Sequence, residues 1–295
     1  MTATATAATT AAAPRPAAVR ALTALLAATA AATVAVEALN WWYAPERGYG
    51  LAVRTGWATL RSLGFLVLVW HVRRGRAGAR PFGLILAVTT VFAVARLVVP
   101  RRGLPVLPGV LGFAAIALLA LAAVLLLYRS PAVTGYLTRP PNRLVITRQG
   151  FARRPVARTA APVPGWLLTA RVAALAYGPL MLVPCLVSVG VIADGRLAAI
   201  PVVALWAALA FGVGYAVLFT SFFLLRGRRW ARWWLAGITL LVVLIDLPLC
   251  WAMLGGDGLV RDGGPLAVAA LMALYGLWRA PHHDRLIPAP RQATP

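Results

Sequence analysis

Residues Arg129 to Gly165 read RSPAVTGYLTRPPNRLVITRQGFARRPVARTAAPVPG, with seven arginines, six prolines and no acid. On either side lies apolar sequence that breaks into four membrane-length segments. The stretch therefore reads as a basic, water-facing bridge between two membrane-embedded halves. Composition points the same way: 61% of residues are hydrophobic, 12% are charged, and the mean hydropathy is +0.80. Soluble domains carry about a quarter charged residues, so this chain lacks the means to coat itself for water. Apolar runs of about 18 residues, rising about 1.5 Å per residue, are long enough to cross a hydrocarbon core of about 30 Å.

Working outward from the bridge, the chain divides into five parts. Residues 1–16 are Ala/Thr-rich with Pro14 and Pro16, the composition of a disordered segment. The first four-helix repeat occupies 17–128, with segments at Ala17–Asn40, Leu51–Val72, Pro81–Val99 and Leu104–Tyr128. The connector covers 129–165. The second four-helix repeat occupies 166–280, with segments at Trp166–Ala193, Leu197–Leu225, Trp230–Leu254 and Gly264–Leu277, and a tail covers 281–295. Arg20 followed by an apolar run is also the layout of a secretory signal peptide. A matching segment in the second half, where no signal peptide belongs, favours a retained helix. The expected fold class is thus all-α, a transmembrane bundle of about eight helices.

The halves match in more than helix count. Arg74-Gly-Arg-Ala-Gly-Ala-Arg80 follows the second segment and Arg226-Gly-Arg-Arg-Trp-Ala-Arg232 follows the sixth, 152 residues on. Leu127-Tyr-Arg-Ser-Pro131 ends the fourth segment and Leu277-Trp-Arg-Ala-Pro281 the eighth, 150 residues on; Arg20 and Arg171 open the first and fifth, 151 apart. Near-constant offsets across distinct motifs favour an internal duplication. A four-helix unit returns the chain to its starting side, so the two copies are expected to be parallel repeats related by an axis along the membrane normal.

A net charge of +22 would suggest nucleic acid in a soluble protein. Here its placement gives another reading. Every basic residue is Arg. With both termini placed in the cytoplasm, twenty arginines fall on the cytoplasmic side. Six (Arg47, Arg54, Arg101, Arg102, Arg196 and Arg261) fall in outer loops. That distribution obeys the positive-inside rule and places the protein in the cytoplasmic membrane. The expected partner of the connector is anionic lipid headgroup, attractive by about 1 kcal/mol per nearby Arg, with a dedicated protein partner as the alternative. Within the connector, Pro140-Pro141 excludes helix, and Leu144-Val-Ile-Thr147 before Arg148-Gln-Gly150 suggests a short strand and turn.

The segments LLRGRRWARWW (Leu224–Trp234) and LLLYRSPAVTGYL (Leu125–Leu137) resemble elements of bacterial, actinobacterial-like four-helix integral membrane proteins. Such proteins carry an RRWAR-like loop after helix two and an SPAV-like exit after helix four. The resemblance covers two loops per half and implies a four-helix membrane unit, with no reaction or substrate. The first-half loop departs from the pattern at Ala77 and Gly78, where the second half has Arg229 and Trp230.

Ionisable residues inside membrane segments are costly and mark candidate sites. Four qualify: Arg61, near the midplane of the second segment, and Glu37, Arg96 and Asp246, in the outer parts of segments one, three and seven. One reading is a polar site between the halves, with Arg61–Glu37 and Arg96–Asp246 as ion pairs. The other is that arginines snorkel to the headgroups and the acids neutralise neighbours. Arg61 is the one too deep to snorkel. His71 falls at the membrane rim, and His282, His283 and Asp284 in the tail lack further ligands, so neither metal nor haem is expected. Cys185 and Cys250 both fall in apolar runs and read as small buried hydrophobes. Gly212 and Gly214 read as a close helix-packing position. No nucleotide loop, zinc-protease helix or nucleophile elbow occurs.

The leading functional expectation is a non-catalytic membrane component: an accessory, scaffold or sensor subunit. The alternative is a small-solute or ion transporter with its site between the halves, and a membrane-embedded enzyme is third. A polar cavity reaching Arg61 favours transport; a dry, close-packed seam there opposes it.

Overall fold

The computed structural model describes residues 16–44, 48–98, 106–137, 142–147, 150–155, 165–193 and 195–280; for Arg96, 142–147 and 150–155 it describes backbone alone. The expectations for the N-terminal segment before residue 16 and for the tail with His282, His283 and Asp284 lie outside these residues.

Helices α1 (Ala17–Tyr43), α2 (Tyr49–Arg73), α3 (Ala79–Ala95, ending in a 3-10 turn at Arg96–Val98) and α4 (Val106–Arg129) make the first half. After a short α5 (Pro131–Leu137) come strands β1 (Asn142–Thr147) and β2 (Gly150–Pro155). The second half holds α6 (Gly165–Leu175), α7 (Tyr177–Ala193), α8 (Ile200–Leu225), α9 (Arg229–Gly258) and α10 (Gly264–Arg279), with a wide π-type turn at Leu259–Gly263 before α10. The protein is an all-α, polytopic membrane protein of about eight helices, with a small hairpin on its connector. Five helical stretches are long and apolar enough to cross a bilayer: Ala17–Tyr43, Val106–Arg129, Gly165–Ala193, Leu197–Leu225 and Arg229–Arg279. Arg54 and Arg61 keep α2 below that measure, and α3 is a shorter apolar helix.

Side chains partition as a bilayer requires. Leu60, Leu63 and Leu66 on α2, Leu111 and Leu118 on α4, and Leu205, Phe211 and Leu218 on α8 all face outward. Thr29, Thr33, Ser62, Thr90, Ser188, Thr220 and Thr239 are buried. In hydrocarbon a helical hydroxyl is stabilised by an acceptor nearby, and of these seven only Thr90 Oγ1 has none. Thr33, Thr220 and Thr239 donate to the carbonyl four residues back, and Ser188 donates to the carbonyl of Pro184, whose ring removes a donor from α7.

Each half packs around its own hydrophobic core. In the first, each helix of α1–α4 packs on its neighbours in sequence, and α1 closes the ring against α4. In the second, α7 packs on α8, α8 on α9, α9 on α10, and α10 returns to α6. The halves meet where α2 packs on α7 and where α3 packs on α6 and α10.

Two turns repeat atom for atom. The α2 helix ends at Gly75 (φ 65°), with Gly75 N–H donating to Val72 O and Arg76 N–H to His71 O. The α8 helix ends at Gly227 (φ 75°), with Gly227 N–H donating to Leu224 O and Arg228 N–H to Phe223 O. These are the same Schellman closure, 152 residues apart, and each needs a residue that tolerates positive φ. In each, the Arg one residue before the glycine stacks on the ring four positions earlier, Arg74 on Trp70 and Arg226 on Phe222. Arg80 at the start of α3 then donates to Leu127 O at the end of α4, and Arg232 at the start of α9 donates to Leu277 O and Ala280 O at the end of α10. Each guanidinium satisfies carbonyls that a helix C-terminus leaves open.

The structure departs from sequence expectation in four places. The fifth segment is two helices: α6 ends near Ala176, whose N–H reaches only to Ala173 O, before α7 restarts. The connector opens with α5, where Pro131 stands at the first position and Val133 N–H donates to Ser130 Oγ. The α5 helix buries Val133 and Leu137, and Tyr136 Oη donates to Arg73 O at the end of α2. The expected strand is present, paired antiparallel with a second from Asn142↔Pro155 to Thr147↔Gly150. Of the two packing glycines, Gly214 does approach a neighbour, its Cα facing Gly178 of α7, whereas Gly212 faces open space.

Candidate functional site

The α2 helix carries the site. Arg61 is the central residue of this 25-residue helix. Trp57 sits one turn before it, with the guanidinium carbon 5.9 Å from the ring centroid. Arg54 lies two turns before Arg61, inside α2 rather than in the loop to which the sequence assigned it. Two contacts fix α2 against α1. Ser62 Oγ donates to Ala30 O at 3.0 Å, and Thr55 Oγ1 donates to Glu37 Oε1 at 2.8 Å. The second contact holds the Glu37 carboxylate toward the same side as Arg61.

The opposite wall comes from irregular backbone. After Leu254 the α9 helix breaks at Gly255 (φ 70°, ψ −169°), and the chain reaches α10 through the wide turn Leu259–Gly263. Turns of this kind re-aim side chains. Here the turn buries Arg261, which forms a bidentate ion pair with the adjacent Asp262 (Nε to Oδ1 3.0 Å), while Asp257 stands 4.0 Å away. Sequence counting had Arg261 in an exposed outer loop; it is 8% exposed and faces the seam.

Between these walls is a cavity of about 400 Å³. It is lined from α1 by Val36, Glu37 and Asn40, from α2 by Arg54, Trp57 and Arg61, and from α3 by Thr89, Ala93 and Val94. Leu180, Val183 and Pro184 of α7 line it too, as do Arg261 and Asp262. It therefore lies between the halves, running from the α1–α2 turn to the middle of α2. Its size falls in the range of small-molecule sites. Among the described residues, three guanidinium groups and two carboxylates face it. Arg61 is 5% exposed, and its Nε and Nη1 have no hydrogen-bond partner.

The four residues singled out from sequence are thus divided. Arg61 and Glu37 share the cavity wall, yet no ion pair within 4.0 Å joins them, and the hydrogen-bond partner of Glu37 is Thr55. Asp246 is fully buried away from the cavity, in the core of the second half. Its Oδ1 accepts from Trp206 Nε1 at 2.9 Å, and Cys250 Sγ lies 3.6 Å from Oδ2. That arrangement staples α8 to α9. The side chain of Arg96 is outside the described residues, so its expected pairing with Asp246 is outside them too. Reading along the chain missed Arg54, Arg261 and Asp262. All three stand near glycines at the ends of apolar runs, where a charged residue looks like loop.

Cys185 and Cys250 are free thiols, both buried. His71 is half-buried near the end of α2, its Nδ1 2.9 Å from Val67 O. Among the described residues, no group of three or more His, Cys, Asp or Glu side chains stands close enough to hold a metal ion. Comparison with family models, with curated proteins and with solved structures found no match to this chain.

Proposed function

We propose that this multi-pass membrane protein binds a small solute in the cavity between its halves and moves it across the bilayer. The observation that carries this reading is the cavity itself, with the Arg61 guanidinium set at mid-helix against it and two of its nitrogens unpaired. A buried guanidinium with nitrogens left without hydrogen bonds costs a membrane protein several kcal/mol. A scaffold or accessory subunit gives no reason to keep one, and a dry seam would have closed over it. The cavity is bounded by a helix with an internal proline, Pro184, and by the wide turn at Leu259–Gly263. Irregular backbone at membrane depth is tolerated where it lines a cavity, and discontinuous helices of this kind form transporter sites.

The architecture that suits this function is two parallel four-helix repeats, eight crossings, with both termini and the connector in the cytoplasm. The matched turns at Gly75 and Gly227, and the matched carbonyl clamps of Arg80 and Arg232, support the duplication. The arginine count supports the orientation, and it sets the connector against anionic headgroups. Reconstitution into liposomes tests the function. Uptake of at least one small solute should exceed that of empty vesicles by about tenfold and fall with Arg61→Gln. A solute panel spanning anions, cations and neutral molecules that shows no flux above empty vesicles would remove the transport reading.

A further inference from the structure

We infer that the C-terminal end of α2 binds one anionic phospholipid, with its phosphate held by Arg74 and Arg76 and one acyl chain laid along Leu60, Leu63 and Val67. This site lies outside the cavity and does not depend on transport.

The turn that closes α2 builds the headgroup end. Gly75 takes φ 65°, and the arginines on either side of it converge on one indole. The guanidinium carbon of Arg74 lies 4.0 Å from the Trp70 ring centroid, and that of Arg76 lies 4.6 Å from it. A ring face compensates part of a cation's charge without consuming its N–H donors. A second contact positions Arg76. Val67 O, 2.9 Å from His71 Nδ1, can only accept, so Nδ1 carries the proton and Nε2 accepts from Arg76 Nη1 at 3.4 Å. Among the described residues, none of Arg73, Arg74 and Arg76 has a carboxylate partner. Guanidinium forks suit phosphate oxygens in both charge and geometry. A zwitterionic headgroup would bring its own cation toward the same arginines, so the anionic one is favoured.

Helical spacing supplies the apolar end. Leu60, Leu63, Val67 and Trp70 are exposed at intervals of three and four residues, so they form one outward stripe on α2. From Leu60 to Trp70 the helix rises about 15 Å at about 1.5 Å per residue, half of a hydrocarbon core of about 30 Å. The stripe thus has the depth of a single leaflet and ends beneath the two guanidinium groups. Free phosphate would engage the arginines and leave the stripe unused. The matching turn after α8 is less organised: Arg226 stacks on Phe222, whereas among the described residues Arg228 meets no ring.

Native mass spectrometry of the full-length protein in detergent, with added lipid, tests the site. The probes are dimyristoyl phosphatidylglycerol and dimyristoyl phosphatidylcholine, matched in their chains, with glycerol 3-phosphate and inorganic phosphate as headgroup chemistry alone. One phosphatidylglycerol should bind about tenfold more tightly than phosphatidylcholine, and excess glycerol 3-phosphate or phosphate should not displace it. Arg74→Gln combined with Arg76→Gln should weaken phosphatidylglycerol about tenfold, at about 1 kcal/mol per arginine. Arg226→Gln combined with Arg228→Gln should change it by less than about threefold. Trp70→Leu, which keeps both charges and the apolar stripe, should weaken it several-fold. Should the double glutamine variant fail to fold, Arg74→Lys with Arg76→Lys, which keeps the charge and removes the forks, should still weaken binding several-fold. Equal affinity for the two lipids, equal losses in the two glutamine pairs, undiminished binding in the variants at Arg74 and Arg76, or displacement by free phosphate would each overturn the inference.

Discussion

Arg61 and Asp246 are both ionisable residues deep in membrane helices, and their surroundings give them opposite roles. Asp246 is satisfied: Trp206 Nε1 donates to it across the α8–α9 contact. Trp206→Phe removes that donor and leaves a buried carboxyl short of a partner. Thermal unfolding in detergent should show a loss of about 1–3 kcal/mol, and Trp206→Phe combined with Asp246→Leu should recover part of it. Arg61 is not satisfied, so Arg61→Met, which keeps the length and discards the charge, should leave the unfolding temperature unchanged or raise it. A marked loss of stability in Arg61→Met would mean the guanidinium holds the fold together, and the site reading would lose its support. Arg61 stood out in the sequence because one arginine interrupts an apolar run at its midpoint. Asp246 gave the same signal, and nothing in a linear sequence separates a staple from an anchor. That distinction depends on whether an indole from another helix arrives at the carboxylate.

Helix packing here rests on a few close approaches that hydropathy does not register. A Cβ added at Gly276 of α10 would stand 2.6 Å from Trp166 O and 2.9 Å from Ala170 N, both backbone atoms of α6. Backbone cannot rotate aside, so Gly276→Ala should separate α6 from α10 at a cost of about 1–3 kcal/mol. Gly212 of α8 meets nothing within 4 Å. Gly212→Ala should instead be neutral or stabilise by up to about 1 kcal/mol through helix propensity and reduced chain entropy. Unfolding midpoints of the two variants, measured side by side, check both. The contrast also marks the limit of what the sequence disclosed about elements. Apolar length located all eight segments within a few residues. The break at Ala176 was hidden because Pro179 and Pro184 are compatible with either a kinked helix or a divided one. The α5 helix was hidden by its seven-residue length, although Ser130-Pro131 is a helix-start signal.

At the scale of the whole molecule, lipid-facing surfaces accept any apolar residue, whereas turns depend on particular ones. The closures at Gly75 and Gly227 need a positive φ, and the clamps at Arg80 and Arg232 need a guanidinium. The proposed duplication rests on these positions. The proposed orientation rests on the arginine count, and orientation decides how the cavity meets water. The cavity begins beside the α1–α2 turn, at the opposite end of the bundle from the basic connector. With the connector in the cytoplasm, it faces the outer side. Single cysteines in a Cys185→Ala, Cys250→Ala background test this, using a membrane-impermeant maleimide on spheroplasts. Ala198→Cys, exposed at the end opposite the connector, should label on intact spheroplasts, and Ala132→Cys, exposed on α5, only after permeabilisation. The reverse pattern would invert the proposed orientation, and equal labelling of both would contradict the proposed number of crossings. Thr89→Cys, on the cavity wall, carries the argument to function. Labelling from the outer face alone describes a pocket with one opening. A transporter has to alternate, so Thr89→Cys should also react from the cytoplasmic face in inverted vesicles.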